Sequence, residues 1–273
     1  MELMYRADLH CHSTCSDGTL SPEELLAEAK RKELSALSIT DHDTVEAYTE
    51  ETFRVAEKLG IRLFPGVEFS SRHENYPIHI LGYAFDRTPA LQDFCAQHQK
   101  RRRERNRAIL RKLQEQKILI EEEELKRFGR ECSIGRPHIA QLMLEQGVVS
   151  TIQEAFDLYI GEGKSCFEPG TSFTPEETLE VIHAASGKAF IAHPHLIQKQ
   201  KVLDAILEMD FDGIECYYGL FHHGQEKKWL KIAKKKGWLI SGGSDFHGSV
   251  KPHVQLGCSW VDEEAVLKLF GAS

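Results

Sequence analysis

The sequence has no uninterrupted apolar run approaching the ~20 residues that a membrane-spanning helix needs. Its first stretch, MELMYRADLH, shows no signal-peptide core. The seven cysteines are odd in number and none forms a Cys-x-x-Cys pair, which argues against both a disulfide framework and a thiolate zinc site. Cys11 and Cys15 flank a histidine motif, but free cysteine also serves as a small packing residue, and that is the role expected of them. A reducing cytoplasm is the expected compartment. A formal net charge of −8 leaves no global basic field to draw the chain to nucleic acid or to a membrane surface. Any polyanion must therefore be met by a local patch or by bound cations. Glycine-rich strand-to-helix loops of the dinucleotide and P-loop types are missing too.

What is present is an ordinary globular composition, 41% hydrophobic and 28% charged. A chain of 273 residues can form one large α/β domain, or one that carries an insertion. Through residue 88, short β-rich runs (RADLH, LSALSIT, IRLFPGVEF, PIHILGYAF) alternate with amphipathic helices. Ser21-Pro22-Glu23-Glu24 joins a capping box to a proline at the first helical position, and the stretch from Val45 to Leu59 reads as a helix closed by Gly60. Residues 89–164 read as helical: KRRRERNRAILRKLQEQ is basic, EEEEL acidic, RPHIAQLMLEQGV and TIQEAFDLYI amphipathic. Over residues 165–273 the alternation resumes, through a helix at Pro175 to Ala185, KAFIAHP, VLDAILEM, DGIECY, a helix from Gln225 to Lys236 and WLISGGSD, with QLGCSWV as a candidate last strand. This rhythm predicts an α/β fold, a (β/α) barrel in two parts (1–88 and 165–273) interrupted by an all-helical insertion.

The chemistry gathers where those strands end. In ADLHCHSTCSDGT, His10 and His12 are two apart, so on a strand they point to the same side, and Asp17 follows in the loop. Imidazole is the commonest protein metal ligand, and a carboxylate suits the harder divalent ions. Later strand ends bring Asp41, His42 and Asp43, then Glu68, then His193 and His195 around Pro194, then Asp245 and His247, while His79 lies within the fourth run. Any one of these reads equally well as a capping aspartate or a surface histidine. As a set they put imidazoles and carboxylates at one end of the sheet, where barrel active sites are assembled and where such a cluster is costly without cations. With no thiolate among them, the donors suit manganese, iron or zinc at more than one site. Two neighbouring ions can supply a nucleophile and stabilise the attacking and leaving oxygens in phosphate-ester hydrolysis.

HCHSTCSDGT, ITDHD, GVE, IAHP and SDFH, spread from Asp8 to His247, resemble the successive motifs of the PHP (polymerase and histidinol phosphatase) family of metal-dependent phosphoesterases. The resemblance implies a distorted (β/α)7 barrel with a trinuclear centre. By it, His10, His12, Glu68 and Asp245 would hold one ion. Glu68 would bridge to a second, completed by His79 and His193, and Asp17, His42 and His247 would hold a third. Two or three divalent ions are thus the expected cofactors, manganese foremost, with iron, zinc or magnesium as alternatives. SIGRPHIA in the insertion resembles the corresponding part of nucleoside 3′,5′-bisphosphate phosphatases, which overlap with 5′→3′ exoribonucleases of short oligonucleotides. That implies a substrate-phosphate site at Arg136 and His138, and a guanidinium can fork phosphate oxygens as lysine cannot. The competing reading of Arg136 is a helix-start arginine paired with a surface carboxylate. His195, outside the ligand set, is a candidate general acid for the leaving oxygen.

The expected function is hydrolysis of the 3′-phosphate of nucleoside 3′,5′-bisphosphates, or trimming of short 5′-phosphorylated oligoribonucleotides from the 5′ end. No membrane or protein partner is expected. The run from Lys100 to Arg111 reads either as a phosphate-tracking stripe or as a solvated helix face answered by Glu121 to Glu124. Tyr217, Tyr218, Phe221, His222 and His223 could stack a base, or simply pack. Three rival functions remain. A histidinol-phosphate phosphatase is opposed by Asp17 and the long insertion, and a non-catalytic metal-binding module by the intact motifs. A metal-dependent amidohydrolase lacks a candidate for the carbamylated lysine such sites often use.

Overall fold

The computed structural model describes residues 4–129, 132–222 and 224–271, so His223 lies outside the described residues. The chain runs β1 (Ala7–Cys11), α1 (Pro22–Arg31), β2 (Ala36–Ile39), α2 (Glu50–Leu59), β3 (Arg62–Leu63), β4 (Gly66–His73) and β5 (Tyr76–Tyr83). Helices α3 (Pro89–Glu115), α4 (Glu122–Leu125), α5 (Arg136–Glu145) and α6 (Ile152–Ala155) follow without a strand among the described residues. Then come α7 (Pro175–Ala184), β6 (Lys188–Ile191), α8 (Gln200–Leu207), β7 (Gly213–Tyr218), α9 (Glu226–Lys236), β8 (Leu239–Gly243) and α10 (Glu263–Phe270). The helix starts follow their caps. Ser21 and Glu24 form the reciprocal capping box ahead of α1, with Pro22 at the first position, and Thr174 and Glu177 repeat it ahead of α7.

Two sheets result, β1-β2-β3 and β4-β5-β6-β7-β8. The first is parallel, while the second mixes an antiparallel β4–β5–β6 with parallel β6–β7–β8. Backbone hydrogen bonds join the sheets at both flanks. Asp43 N donates to Glu68 O at 3.0 Å and Glu68 N to Asp41 O at 3.2 Å, beyond the end of β2. On the other flank Asp245 N reaches His10 O at 2.7 Å and His12 N reaches Phe246 O at 2.9 Å, beyond the end of β8. Gly243 permits that approach, since a Cβ there would lie 2.4 Å from His10 N. These junctions carry the residues picked out by motif, so the same bonds that close the gaps aim the side chains.

Three details differ from the sequence expectation. IRLFPGVEF is not one strand: Pro65 offers no N–H to a ladder, and the chain leaves β2 there to pair with β5. The second helix begins at Glu50, not near Val45, because Thr49 caps it and Tyr48 is drawn into the core, where its hydroxyl meets backbone groups of Ile39, Phe64 and Gly66. QLGCSWV contributes only an isolated antiparallel bridge, Val261 to Ala7, and no strand. The 27-residue α3 serves two apolar clusters. Leu91, Phe94 and Cys95 join the main core, while Ile109, Leu110 and Leu113 pack with Ile139, Leu142 and Met143 in a separate cluster among the helices α3 to α6.

Candidate metal centre

Glu68 stands at the middle of the site, 1% exposed on β4. In the β4–β5 register Ser70 faces His79, so Glu68 and His79 are diagonal neighbours on one face, and His79 Nδ1 lies 2.9 Å from Glu68 Oε1. His193, following β6, reaches the same oxygen at 2.9 Å. The other oxygen is approached by His42 Nδ1 at 3.1 Å, His12 Nε2 at 3.2 Å and His10 Nε2 at 3.4 Å. Five imidazoles from four chain segments therefore converge on one carboxylate.

Two further carboxylates flank it. Asp245 Oδ1 lies 3.3 Å from His12 Nε2 and 3.5 Å from both His10 Nε2 and His247 Nδ1. Asp17 Oδ1 is 3.5 Å from His247 Nε2 and 3.7 Å from His12 Nδ1, and its Oδ2 is 3.8 Å from His42 Nε2. All nine residues expected to be ligands thus meet in one cluster. Donor atoms within 4.8 Å of one another form the groups His12–Asp17–His42–His247, His10–His12–Glu68 and His42–Glu68–His79. His12 and His42 each belong to two groups, which the division into three separate ligand sets does not anticipate.

The donor set fits cations. His10 Nε2, His12 Nε2, His42 Nδ1, Asp17 Oδ1 and Asp245 Oδ1 are shielded from solvent and have no hydrogen-bond partner, a costly state for polar atoms aimed at a common centre. Burial opposes ionisation of Glu68, but the imidazoles of His42, His79 and His10 outweigh it and hold the carboxyl well below its usual range. Burial likewise opposes charge on Asp245, yet Lys251 and His247 hold it well below the usual range. Burial pushes His42 and His247 down to about 3, against the pull of Asp17.

Residues outside the cluster hold it in place, and most carry no motif. Glu215, mid-strand on β7 and fully buried, accepts from His193 N at 2.6 Å and lies 2.8 Å from His10 Nδ1. Asp245 Oδ2 is met by the Tyr218 hydroxyl and by Lys251 Nζ, each at 2.7 Å. Asp41 ties the loop that carries Asp17, accepting from Ser13 N at 2.7 Å and from the Ser13 and Ser16 hydroxyls at 2.5 Å. Asp8 accepts from the backbone at Ser244 and Gly257 and stays out of the cluster. An acidic residue in the apolar strand DGIECY was a readable sign of Glu215; Lys251 offered none. Cys11 is core, and Cys15 packs at its margin.

Arg136 and His138 open α5, beside rather than inside the cluster. The segment leading into α5 meets the Asp17 loop there, with Ser133 N donating to Cys15 O at 2.8 Å. Among the described residues Arg136 pairs with no carboxylate; it reaches Ile160 O at 3.4 Å and lies over the rings of Phe156 and Phe167. The surface ion pair is therefore not what the fold builds. His138 Nδ1 accepts from Gly135 N at 3.0 Å, and its ring feels the charge of Asp17. His195 packs on Tyr218 and Phe221 at 4.5 and 4.7 Å, and burial with neighbouring His193 lowers it to about 4. Tyr218 is committed to Asp245 and Tyr217 packs against the core, so neither is a free platform for a base.

No helix among the described residues is long and apolar enough to cross a membrane. Comparison with known proteins agrees with the site. Residues 8–167 match the PHP domain family. The 5′-3′ exoribonuclease Rnm of Escherichia coli is 33% identical over 257 residues, 92% of this chain and 87% of that protein. A 3′,5′-nucleoside bisphosphate phosphatase from Chromobacterium violaceum is 30% identical over 251 residues, 89% of this chain and 88% of that one. Among solved structures, a candidate metal-dependent phosphoesterase from Bifidobacterium adolescentis superposes with a TM-score of 0.89 at 28% identity, covering 98% of this chain and 96% of that chain. With a buried histidine–carboxylate cluster able to bind metal at its strand ends, the chain belongs to the PHP domain family and is a phosphoric ester hydrolase.

Proposed function

We propose that the protein is a cytoplasmic, manganese-dependent phosphoesterase that removes the 3′-phosphate of nucleoside 3′,5′-bisphosphates and trims short 5′-phosphorylated oligoribonucleotides from the 5′ end. The names of its relatives support both substrates. The observation that carries the reading is the placement of His138 where its ring feels the charge of Asp17, with Arg136 two residues before it at the start of the same helix. In this reading the two sheets, joined at both flanks, are a distorted (β/α)7 barrel in two parts, 1–88 and 165–273, and residues 89–164 form a cap over its mouth.

Two or three ions would be held by His10, His12 and Asp245 with Glu68, by Glu68 with His79 and His193, and by Asp17, His42 and His247. When bound, they supply Lewis acidity toward the phosphoryl oxygens and a nucleophile at neutral pH. Glu68, buried between five imidazoles, keeps its charge and fixes their spacing. Glu215 orients His10 and anchors the backbone at His193. Arg136 and His138 hold the distal phosphate and so fix the ester in line with the cluster, which converts binding energy into orientation. Lys251 adds a fixed positive charge beside Asp245.

The test is turnover of adenosine 3′,5′-bisphosphate and of a 5′-phosphorylated ribotetranucleotide with manganese, against histidinol phosphate as control. Release of inorganic phosphate from the first and of mononucleotides from the second is expected, and chelation should abolish both. Turnover of histidinol phosphate alone would overturn the nucleotide assignment.

A further inference from the structure

Much of the basic run on α3 is answered by acids: Arg102 meets Asp43, Nε to Oδ2 at 2.6 Å, Arg107 meets Glu122 at 2.9 Å and Lys112 meets Glu168 at 3.0 Å. Helix α9 is built differently. Its 11 residues, EKKWLKIAKKK, hold six lysines and one glutamate, on a chain whose net charge is −8. Trp229 and Ala233 bury the inner face and leave Lys227, Lys228, Lys231, Lys234 and Lys235 exposed. At ~3.6 residues per turn those five positions fall on one stripe. Among the described residues only Lys236, off the stripe, pairs with an acid, Glu208 at 2.8 Å. Glu226 does not answer the stripe, because its carboxylate turns back to accept from Gly224 N at 2.9 Å.

We propose that this stripe is an exosite for the backbone of single-stranded RNA, gripping the part of a substrate strand that lies downstream of the nucleotide at the metal cluster. This rests on the functional reading above for the identity of the strand. The topology makes the stripe continuous with the site. Strand β7 ends at Tyr218, whose hydroxyl meets Asp245 at 2.7 Å, Phe221 then packs on His195, and α9 starts at Glu226. The helix therefore begins at the rim of the cluster and runs back along β7 on the outer wall. Lys227 leans toward the rim, its Nζ 3.8 Å from where a Cβ at Gly224 would stand. Like charges three and four apart repel, and the stripe repeats that spacing in Lys227, Lys231 and Lys235 and in Lys228, Lys231 and Lys234. Lys234 and Lys235 suit the negative end of the helix, but Lys227 and Lys228 stand in its first turn, where the macrodipole disfavours a cation. Folding alone accounts for neither cost, whereas a polyanion offsets both. Lys227 to Lys235 spans about 12 Å of helix axis, enough for a few phosphates of an extended strand. Ammonium groups on flexible stems meet phosphates as point charges, which gives grip without reading bases. An anionic membrane fits less well, since α9 spends its apolar face on the core and the stripe offers nothing to insert among lipids.

The experiment compares wild type with a variant combining Lys227→Gln, Lys231→Gln, Lys234→Gln and Lys235→Gln, and with its all-arginine counterpart. On a 5′-phosphorylated oligouridylate of ~20 nucleotides at low salt, the glutamine variant should raise KM on the order of 10-fold with kcat within ~2-fold, and the arginine variant should match wild type. Adenosine 3′,5′-bisphosphate, too short to reach α9, should be turned over alike by all three. Binding of the same oligonucleotide, labelled at its 3′ end, is followed by fluorescence anisotropy in chelator across a salt series. There the slope of log K against log salt should become shallower by ~1.4–2.1 in the glutamine variant, the loss of two or three phosphate contacts. An unchanged KM, equal loss on both substrates or an unchanged slope overturns the proposal. Should wild type turn over neither substrate, the nucleotide reading fails and the exosite is judged by binding alone. Weaker binding with a shallower slope in the glutamine variant then upholds it, and equal binding overturns it. Wild type that pellets with phosphatidylserine vesicles but does not bind the oligonucleotide overturns it in favour of a membrane.

Discussion

Replacing Glu215 by glutamine changes one atom type in a site that has no room to rearrange. Both carboxylate oxygens accept now, one from His193 N at 2.6 Å and the other at 2.8 Å from His10 Nδ1. The backbone N–H of His193 can only donate, so the glutamine oxygen must face it. The amide NH2 is then left against His10 Nδ1, which must become the acceptor and shift its proton to Nε2. That nitrogen is the one facing Glu68 and Asp245, and a protonated Nε2 has no lone pair for an ion. The alternative, keeping the tautomer, sets N–H against N–H in a fully buried spot at about 1–3 kcal/mol. Either way the expected cost falls on metal binding, ~10–100-fold in affinity, or about 1.4–2.7 kcal/mol, as for other partners that orient a ligating histidine. Manganese titration followed by turnover, with melting of the chelated protein alongside, separates this from a folding defect. Glu215→Gln with manganese affinity and kcat both within twofold of wild type would refute the tautomer argument.

Two predictions concern the scaffold. Tyr48→Phe removes a hydroxyl that accepts from Ile39 N at 3.0 Å and from Gly66 N at 2.8 Å, so it should destabilise the fold by about 2–4 kcal/mol in denaturant unfolding; a change under ~0.5 kcal/mol would mean those donors find other partners. His98, buried among Phe69, Phe94 and Phe173, is lowered by burial from 6.5 to about 4, against the pull of Asp43. Its neutral form therefore favours the folded state above pH 6.5. Between pH 6.5 and about 4 the unfolded chain takes up the proton first, and on the order of 3 kcal/mol is lost across that window. His98→Gln should flatten this fall, and parallel pH–stability curves for variant and wild type would show that His98 does not titrate with unfolding.

Much of the fold could be read from the sequence because its signals are local. Caps at Ser21, Thr88 and Thr174 mark helix starts wherever tertiary context agrees. Alternation of strand and helix gave the order of elements, and the helical stretch from residue 89 has no strand among the described residues up to α7. The misreadings sit where a distant partner decides. Val45 to Tyr48 has helical periodicity, yet Tyr48 is held by backbone from β2 and from the start of β4, so the helix waits for Thr49. IRLFPGVEF is continuous as a hydrophobic run, and only the proline hints that its halves pair with different strands. On α3 the answering of the basic run by Glu121 to Glu124 was readable, and Arg107 meets Glu122. The directions of Arg102 and Arg105 were not, because Asp43 and Gly170, which decide them, lie far along the chain.

The convergence of the histidines and carboxylates was legible for a different reason: strand ends converge by topology, so residues remote in sequence could be placed together without knowing any distance. What that reasoning could not give is their division among ions. The family resemblance assigns His12 to one partner set and His42 to another, but in space each stands between Glu68 and Asp17, within 3.1–3.8 Å of both. Glu68 itself is shared by five imidazoles, so its charge cannot be apportioned to one site. A cluster wired in this way is cooperative in the strict sense that removing one donor alters the field at every other. Glu68 should therefore be the residue whose loss disturbs all the ions together, whereas His79 and His193, which touch only its outer oxygen, should fail more locally. The cluster is better described as one unit built around Glu68 than as three sets of side chains that happen to adjoin.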